Sequence, residues 1–305
     1  MSRRPLAVLL ATLGLLTLAT PAFAVEASLH PLCVQQMVRL GDAGFEIESD
    51  RSLPATWCNN HYRKAPIDIR GDYYFVDMKP IREKKRPFYK YRVAGHHRDV
   101  AIVDLAESTG GPGVVSAIAF FQGWPVSDDR DKLDAGSTVT FAGMLEAGDR
   151  CNGGIAEAKM TSPSTLRLAR NLTPYDFILF RVTRALQREK TRAYYASIEN
   201  TEAEPLSDKL LALEAYRDLD TAATSCIGTA TTEYNLDFGT AKLVSVTLTR
   251  LNDKNLAVVA KHKHQACFNR VVKAAVPSFP RTLDPDEVRE VTDAFESKCL
   301  QAPPS

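Results

Sequence analysis

The sequence predicts an α+β fold: an antiparallel β-meander followed by a helix-rich half, stapled by disulfides. Three observations carry this. Apolar residues alternate with a period of two between Asp72 and Ala169, with turn residues between the runs. Helical patterns with capping signals take over from Thr173. Six cysteines follow a secretory leader, and none lies inside it.

The leader comes first. Arg3 and Arg4 precede an uncharged, mostly apolar stretch of 14 residues, Leu6 to Ala19. Pro21 breaks it, and Ala22-Phe23-Ala24 offers small residues at −3 and −1 of a cleavage site. Residues 1–24 therefore read as a signal peptide. A spanning helix needs about 20 apolar residues, so no stable membrane span is expected after cleavage. Removing Arg3 and Arg4 takes the formal charge from +1 to −1. A near-neutral chain has no general pull toward nucleic acid or anionic lipid. The expected location is periplasmic or secreted, where cysteines oxidise.

The six are Cys33, Cys58, Cys151, Cys226, Cys267 and Cys299. No CxxC occurs, so neither a redox pair nor a paired-cysteine zinc site is indicated. Loop closure favours Cys33–Cys58 and Cys267–Cys299 as local staples. Cys151–Cys226 then ties the two halves together.

Residues 25–172 read as a β-rich half with an N-terminal helix at 28–41, after which 42–71 looks irregular. Tyr73 to Met78, Phe88 to Val93, Asp99 to Leu105, Val114 to Phe121, Thr138 to Leu145, Gly154 to Met160 and Thr165 to Ala169 are the expected strands. Gly95 to Arg98 reads as a hairpin loop, as do Gly110 to Gly113 and Ala147 to Asp149. Residues 173–305 read as the helix-rich half, which could be continuous with the first. Thr173-Pro174 starts a helix to about Ser197, and Ser207 or Asp208 starts another to about Ala222. Strands are expected at Ser225 to Tyr234, Lys242 to Arg250 and Leu256 to Ala260. A closing helical hairpin covers Gln265 to Val276 and Asp284 to Leu300.

Lys79, Arg82, Lys84, Lys85, Arg86, Lys90 and Arg92 fall within 14 residues against one acid, Glu83. Such a cluster suits an anionic glycan, a lipid headgroup or an acidic protein partner. No RNA-binding signature accompanies it, which argues against nucleic acid. The same pattern also serves as a charged edge that blocks strand aggregation.

Histidines offer a weaker alternative. His262 and His264 would share one face of a strand and could chelate zinc or copper, but diverge on a helix. No carboxylate completes that pair, and no metal or cofactor is expected. Asp104 stands in an apolar strand, where it needs a partner such as Arg92 or a raised pKa. His96 or His97 with Asp104 is the acid–base set of an exported hydrolase without a standard motif. GxSxG, SxxK and HExxH are all absent. Tyr73, Tyr74, Phe75, Trp124 and Trp57 read mainly as core, with a sugar or lipid pocket as the functional alternative. The leading expectation is a non-catalytic binding protein for an anionic or amphipathic ligand.

Overall fold

The computed structural model describes residues 29–38, 52–78, 87–108, 110, 113–125, 137–151, 153–180, 226–251 and 263–299. Twelve strands lie among them: β1 (Ser52–Pro54), β2 (Asp68–Arg70), β3 (Tyr73–Asp77), β4 (Phe88–His97), β5 (Val100–Ser108), β6 (Val115–Gln122), β7 (Thr138–Asp149), β8 (Ile155–Ser162), β9 (Thr165–Leu172), β10 (Gly228–Asn235), β11 (Thr240–Leu248) and β12 (Arg281–Leu283). Five helices accompany them: α1 (Pro31–Met37), α2 (Ala55–His61), α3 (Pro174–Leu179), α4 (Lys263–Ala275) and α5 (Pro285–Cys299).

The expected helix-rich second half is corrected. Among the described residues strand exceeds helix, 49% against 26%. β8 to β12 form an antiparallel sheet of their own, ordered β12-β11-β10-β9-β8. The physical reason is pairing: β9 bonds to β10 along its whole length, from Leu172 opposite Gly228 to Thr165 opposite Asn235. A single meander is therefore replaced by two sheets that part company between β7 and β8. The expected helices at 207–222 and beyond Phe180 lie outside the described residues, as does the strand at 256–260.

The first sheet has seven strands in the order β1-β7-β6-β5-β4-β3-β2. β1 and β2 lie at opposite edges, yet only residues 55–67 join them. Six strand spacings span about 29 Å. Seven helical residues reach about 10 Å, and six extended ones about 20 Å. Residues 62–65 are turned rather than extended, so the link falls short of a flat sheet's width, and the curl into a half-barrel brings the edges within reach. Register shifts in β4–β5 and β6–β7 assist that curl.

The curled face buries Tyr74, Tyr89, Tyr91, Phe121, Phe141 and Trp124 beneath α1. The irregular reading of 42–71 missed β1, α2 and β2, which are too short for periodicity to register. The opposite face contributes Ile102 and Ile118, which pack on Ala158, Leu166 and Leu168 of the second sheet. The far side of that second sheet is covered by α3, α4 and α5 through Phe177, Phe268, Val272, Val291 and Phe295.

Local chemistry explains the ends. Thr173 Oγ1 accepts from the Asp176 N–H, and the Asp176 carboxylate accepts from the Thr173 N–H, a capping box that starts α3. Disulfides join Cys33–Cys58, Cys151–Cys226 and Cys267–Cys299. Three of them are the mark of an oxidising, non-cytoplasmic compartment. Among the described residues no helix is long and apolar enough to cross a membrane.

Two expected loops are also corrected. Gly95, His96 and His97 belong to β4, because a bulge after Val93 restores pairing as far as His97 opposite Val100. A Cβ on Gly95 would collide with the Met160 side chain of β8, so this close approach of the sheets needs glycine. Ala147 to Asp149 belong to β7, which two register shifts carry through to Asp149 opposite Val115.

Candidate functional site

The basic cluster straddles the β3–β4 hairpin. The Met78 N–H donates to the Pro87 carbonyl at 2.8 Å and closes the ladder. Lys79, Arg82, Lys84, Lys85 and Arg86 all fall in the connection between these two residues, outside the described residues. Lys90 and Arg92 are on β4 itself, on the face turned away from the tyrosine core.

Arg92 is committed to the fold. Its Nε donates to Asp104 at 2.9 Å, its Nη1 to Asp72 at 2.7 Å and its Nη2 to the Ala158 carbonyl of β8 at 2.9 Å. The Tyr73 hydroxyl donates to the same Asp104 oxygen at 2.7 Å. The Asp104 side chain is only 5% exposed. A carboxylate so buried needs a cation, and Arg92 supplies it across the register pair Arg92 opposite Asp104. Burial pulls the Arg92 pKa down, but hydrogen bonds to Asp72 and Asp104 outweigh it and hold the guanidinium above its ordinary range. Burial, reinforced by the Asp104 charge, raises the Tyr73 phenol. The group thus seams the two sheets at Ala158.

Lys90 is set differently. Its Nζ sits 4.0 Å above the Tyr73 ring, a cation–π contact rather than an ion pair. Arg70 of β2 lies 3.8 Å over Phe75 and bonds Asp68 at 2.7 Å. Phe75 in turn stacks on Phe88. The fold therefore brings Asp68, Asp72, Asp77 and Asp104 beside Arg70, Lys90 and Arg92. Glu83 is the one acid between Lys79 and Arg92, and the others come from β2, the turn before β3, β3 and β5. The hairpin is close to neutral at its base, and its excess positive charge resides in 79–86.

The histidines do not converge with Asp104. Its register partner is Arg92, whereas His96 opposes Ala101 and His97 opposes Val100. His97 instead clasps two hairpin tips: Nδ1 is 2.9 Å from the Pro163 carbonyl and Nε2 is 3.4 Å from Asp237. Arg98 also bonds Asp237, at 2.8 Å. His264 lies on α4, which begins at Lys263, so it is not on a strand; His262 lies outside the described residues. Among the described residues no three His, Cys, Asp or Glu side chains group as a metal site.

The aromatic set divides. Tyr74, Phe75 and Trp124 are buried, whereas Trp57 on α2 is 43% exposed. Under α1, burial first and the nearby Glu107 charge second hold the Tyr89 phenol well above its ordinary pKa. Glu107 accepts from Gln35 Nε2 at 2.6 Å.

Comparison with known proteins finds no matching family model, no matching curated protein and no matching solved structure.

Proposed function

We propose that this is an exported, non-catalytic protein, periplasmic or secreted, that binds an anionic or amphipathic ligand through the β3–β4 connection. One observation carries the reading. The hairpin bond between Met78 and Pro87 brackets an eight-residue connection with five bases and one acid. Carboxylates offset Arg70 and Arg92 at the base of the hairpin. Arg92 is a structural member, so the ligand set reduces to Lys79, Arg82, Lys84, Lys85 and Arg86, with Lys90 adjoining. An anionic glycan, a lipid headgroup or an acidic protein patch would each supply the opposite charge.

The triple variant K84E/K85E/R86E tests this, with immobilised heparin as a generic polyanion. The wild-type protein is expected to be retained and to elute with rising salt, because counterions are released on binding. The variant should elute at distinctly lower salt with an unchanged melting curve. Equal retention of the two proteins would discard the reading. The hydrolase alternative receives no support from the placement of His96, His97 and Asp104, which face different partners.

A further inference from the structure

We infer that Trp57, His61, Arg63 and Lys64 form a second contact surface, one that stacks against a sugar ring and pairs its acidic group. The ligand class is an acidic polysaccharide. This shares the anionic-ligand reading above but none of its residues, so each can fail alone.

The surface starts from helix geometry. Residues 57 and 61 follow the i, i+4 spacing that puts side chains on one face. The chain then leaves α2 through a tighter turn that carries Arg63 and Lys64: the Arg63 N–H donates to the Asn60 carbonyl, and the Ala65 N–H donates to the Tyr62 carbonyl at 2.8 Å. The indole of Trp57 lies nearly parallel to the His61 ring, with centroids 4.8 Å apart and an angle of 18°. It keeps its exposure with that stack in place. An indole braced on one side and open on the other offers its ring face to a ligand.

The bracing is extensive. Cys58 ties α2 to Cys33 of α1. The Tyr62 ring stacks on His30 at 5.3 Å and packs edge-on against His61 at 4.8 Å. The Tyr62 hydroxyl donates to Gln36 Oε1 at 3.2 Å. His30 reaches back to the Ala65 carbonyl at 3.2 Å. A surface held this way loses little conformational entropy when a ligand lands on it.

Charge selects the ligand. Arg63 and Lys64 are exposed, and neither has an ion-pair partner among the described residues. No acid occurs between Ser52 and Ile67. A braced, part-exposed indole, with exposed Arg63 and Lys64 on the turn directly after its stacking partner His61, matches the C–H face of a pyranose that carries a carboxylate. A bilayer would instead favour an apolar wedge free to penetrate. The position is also apt: adjacent residues of α1 touch both regions, Gln36 at Tyr62 and Gln35 at the Met78 sulfur, 3.5 Å away. Met78 leads directly into the basic connection.

The test measures binding of polygalacturonate to the full disulfide-bonded protein by calorimetry. Neutral dextran and phosphatidylglycerol vesicles are run alongside. W57A is expected to weaken polygalacturonate binding about tenfold, the scale of one lost aromatic stack and its buried area. W57F should retain most of the affinity, and R63E/K64E should lose it while flattening the salt dependence. Dextran should not bind. The inference is overturned by unchanged binding in W57A, by binding to vesicles but not to polygalacturonate, or by no binding at all. Loss in K84E/K85E/R86E with none in W57A or R63E/K64E rejects this surface and leaves the basic connection standing. The reverse pattern rejects the connection and leaves this surface.

Discussion

Two disulfide-stapled helix pairs cover the two sheets, and they treat their aromatics in opposite ways. α4 and α5, joined by Cys267–Cys299, bury Phe268 and Phe295 to 1% and 2% exposure against the second sheet. α1 and α2, joined by Cys33–Cys58, bury small and aliphatic residues and leave Trp57 in solvent. The first pair has 13 and 15 residues, long enough to carry a continuous apolar stripe. The second has seven residues in each helix, too few for that. Equivalent staples thus serve different ends: one completes a core, the other fixes a surface.

The largest expected effect breaks the pairs apart by stability. Phe295→Ala should cost about 3–5 kcal/mol, because it empties a buried site lined by Phe268 and its neighbours. Trp57→Ala should change stability by no more than about 0.5 kcal/mol, as an exposed residue does. Urea unfolding of both variants measures the contrast, and similar costs would end the distinction.

Next, removing either staple should cost nearly the same. The closed loops, of 25 and 32 residues, both correspond to about 3.5 kcal/mol of chain entropy. The difference should appear in binding. C33A/C58A should weaken polygalacturonate binding along with stability, and C267A/C299A should reduce stability alone. Calorimetry at a temperature where both variants remain folded decides it. Equal loss of binding in the two would mean that α2 needs no local brace.

The smallest expected effect is on pH. Tyr73 and Tyr89 both have phenols raised above their ordinary value of 10.0, and both lie in the seven-stranded sheet. The fold therefore favours their neutral forms. Unfolded chains lose those protons first, so this contribution is complete below about pH 10 and is lost as pH climbs past it. Amide exchange between about pH 8 and pH 11 should show β3 to β5 loosening before α4 and α5. The Y73F/Y89F variant should lose less stability over the same range. An identical decline in that variant would remove these phenols as the cause.

Sequence reading succeeded where a signal repeats locally. The alternation in Phe88 to Val93 marks β4, and Thr173-Pro174 with Asp176 marks the start of α3. The disulfide pairs that loop closure favours are those present. It failed where the deciding partner is remote. β8 and β9 look like further strands of one meander, and nothing local states that β9 pairs with β10, more than 50 residues beyond it. Arg92 reads both as one of seven binding cations and as a partner for Asp104, and only the register decides for the second. Trp57 and Trp124 are both expected in the core, and only Trp124 is buried.

Taken alone, the order of residues determined the longer strands, the start of α3, the staples and the position of the basic connection, because these depend on neighbours along the chain. Which strands share a sheet, which cations are already neutralised and which aromatic meets solvent were decided only in three dimensions. Pairing, charge compensation and burial are set by groups that folding brings together from distant parts of the chain.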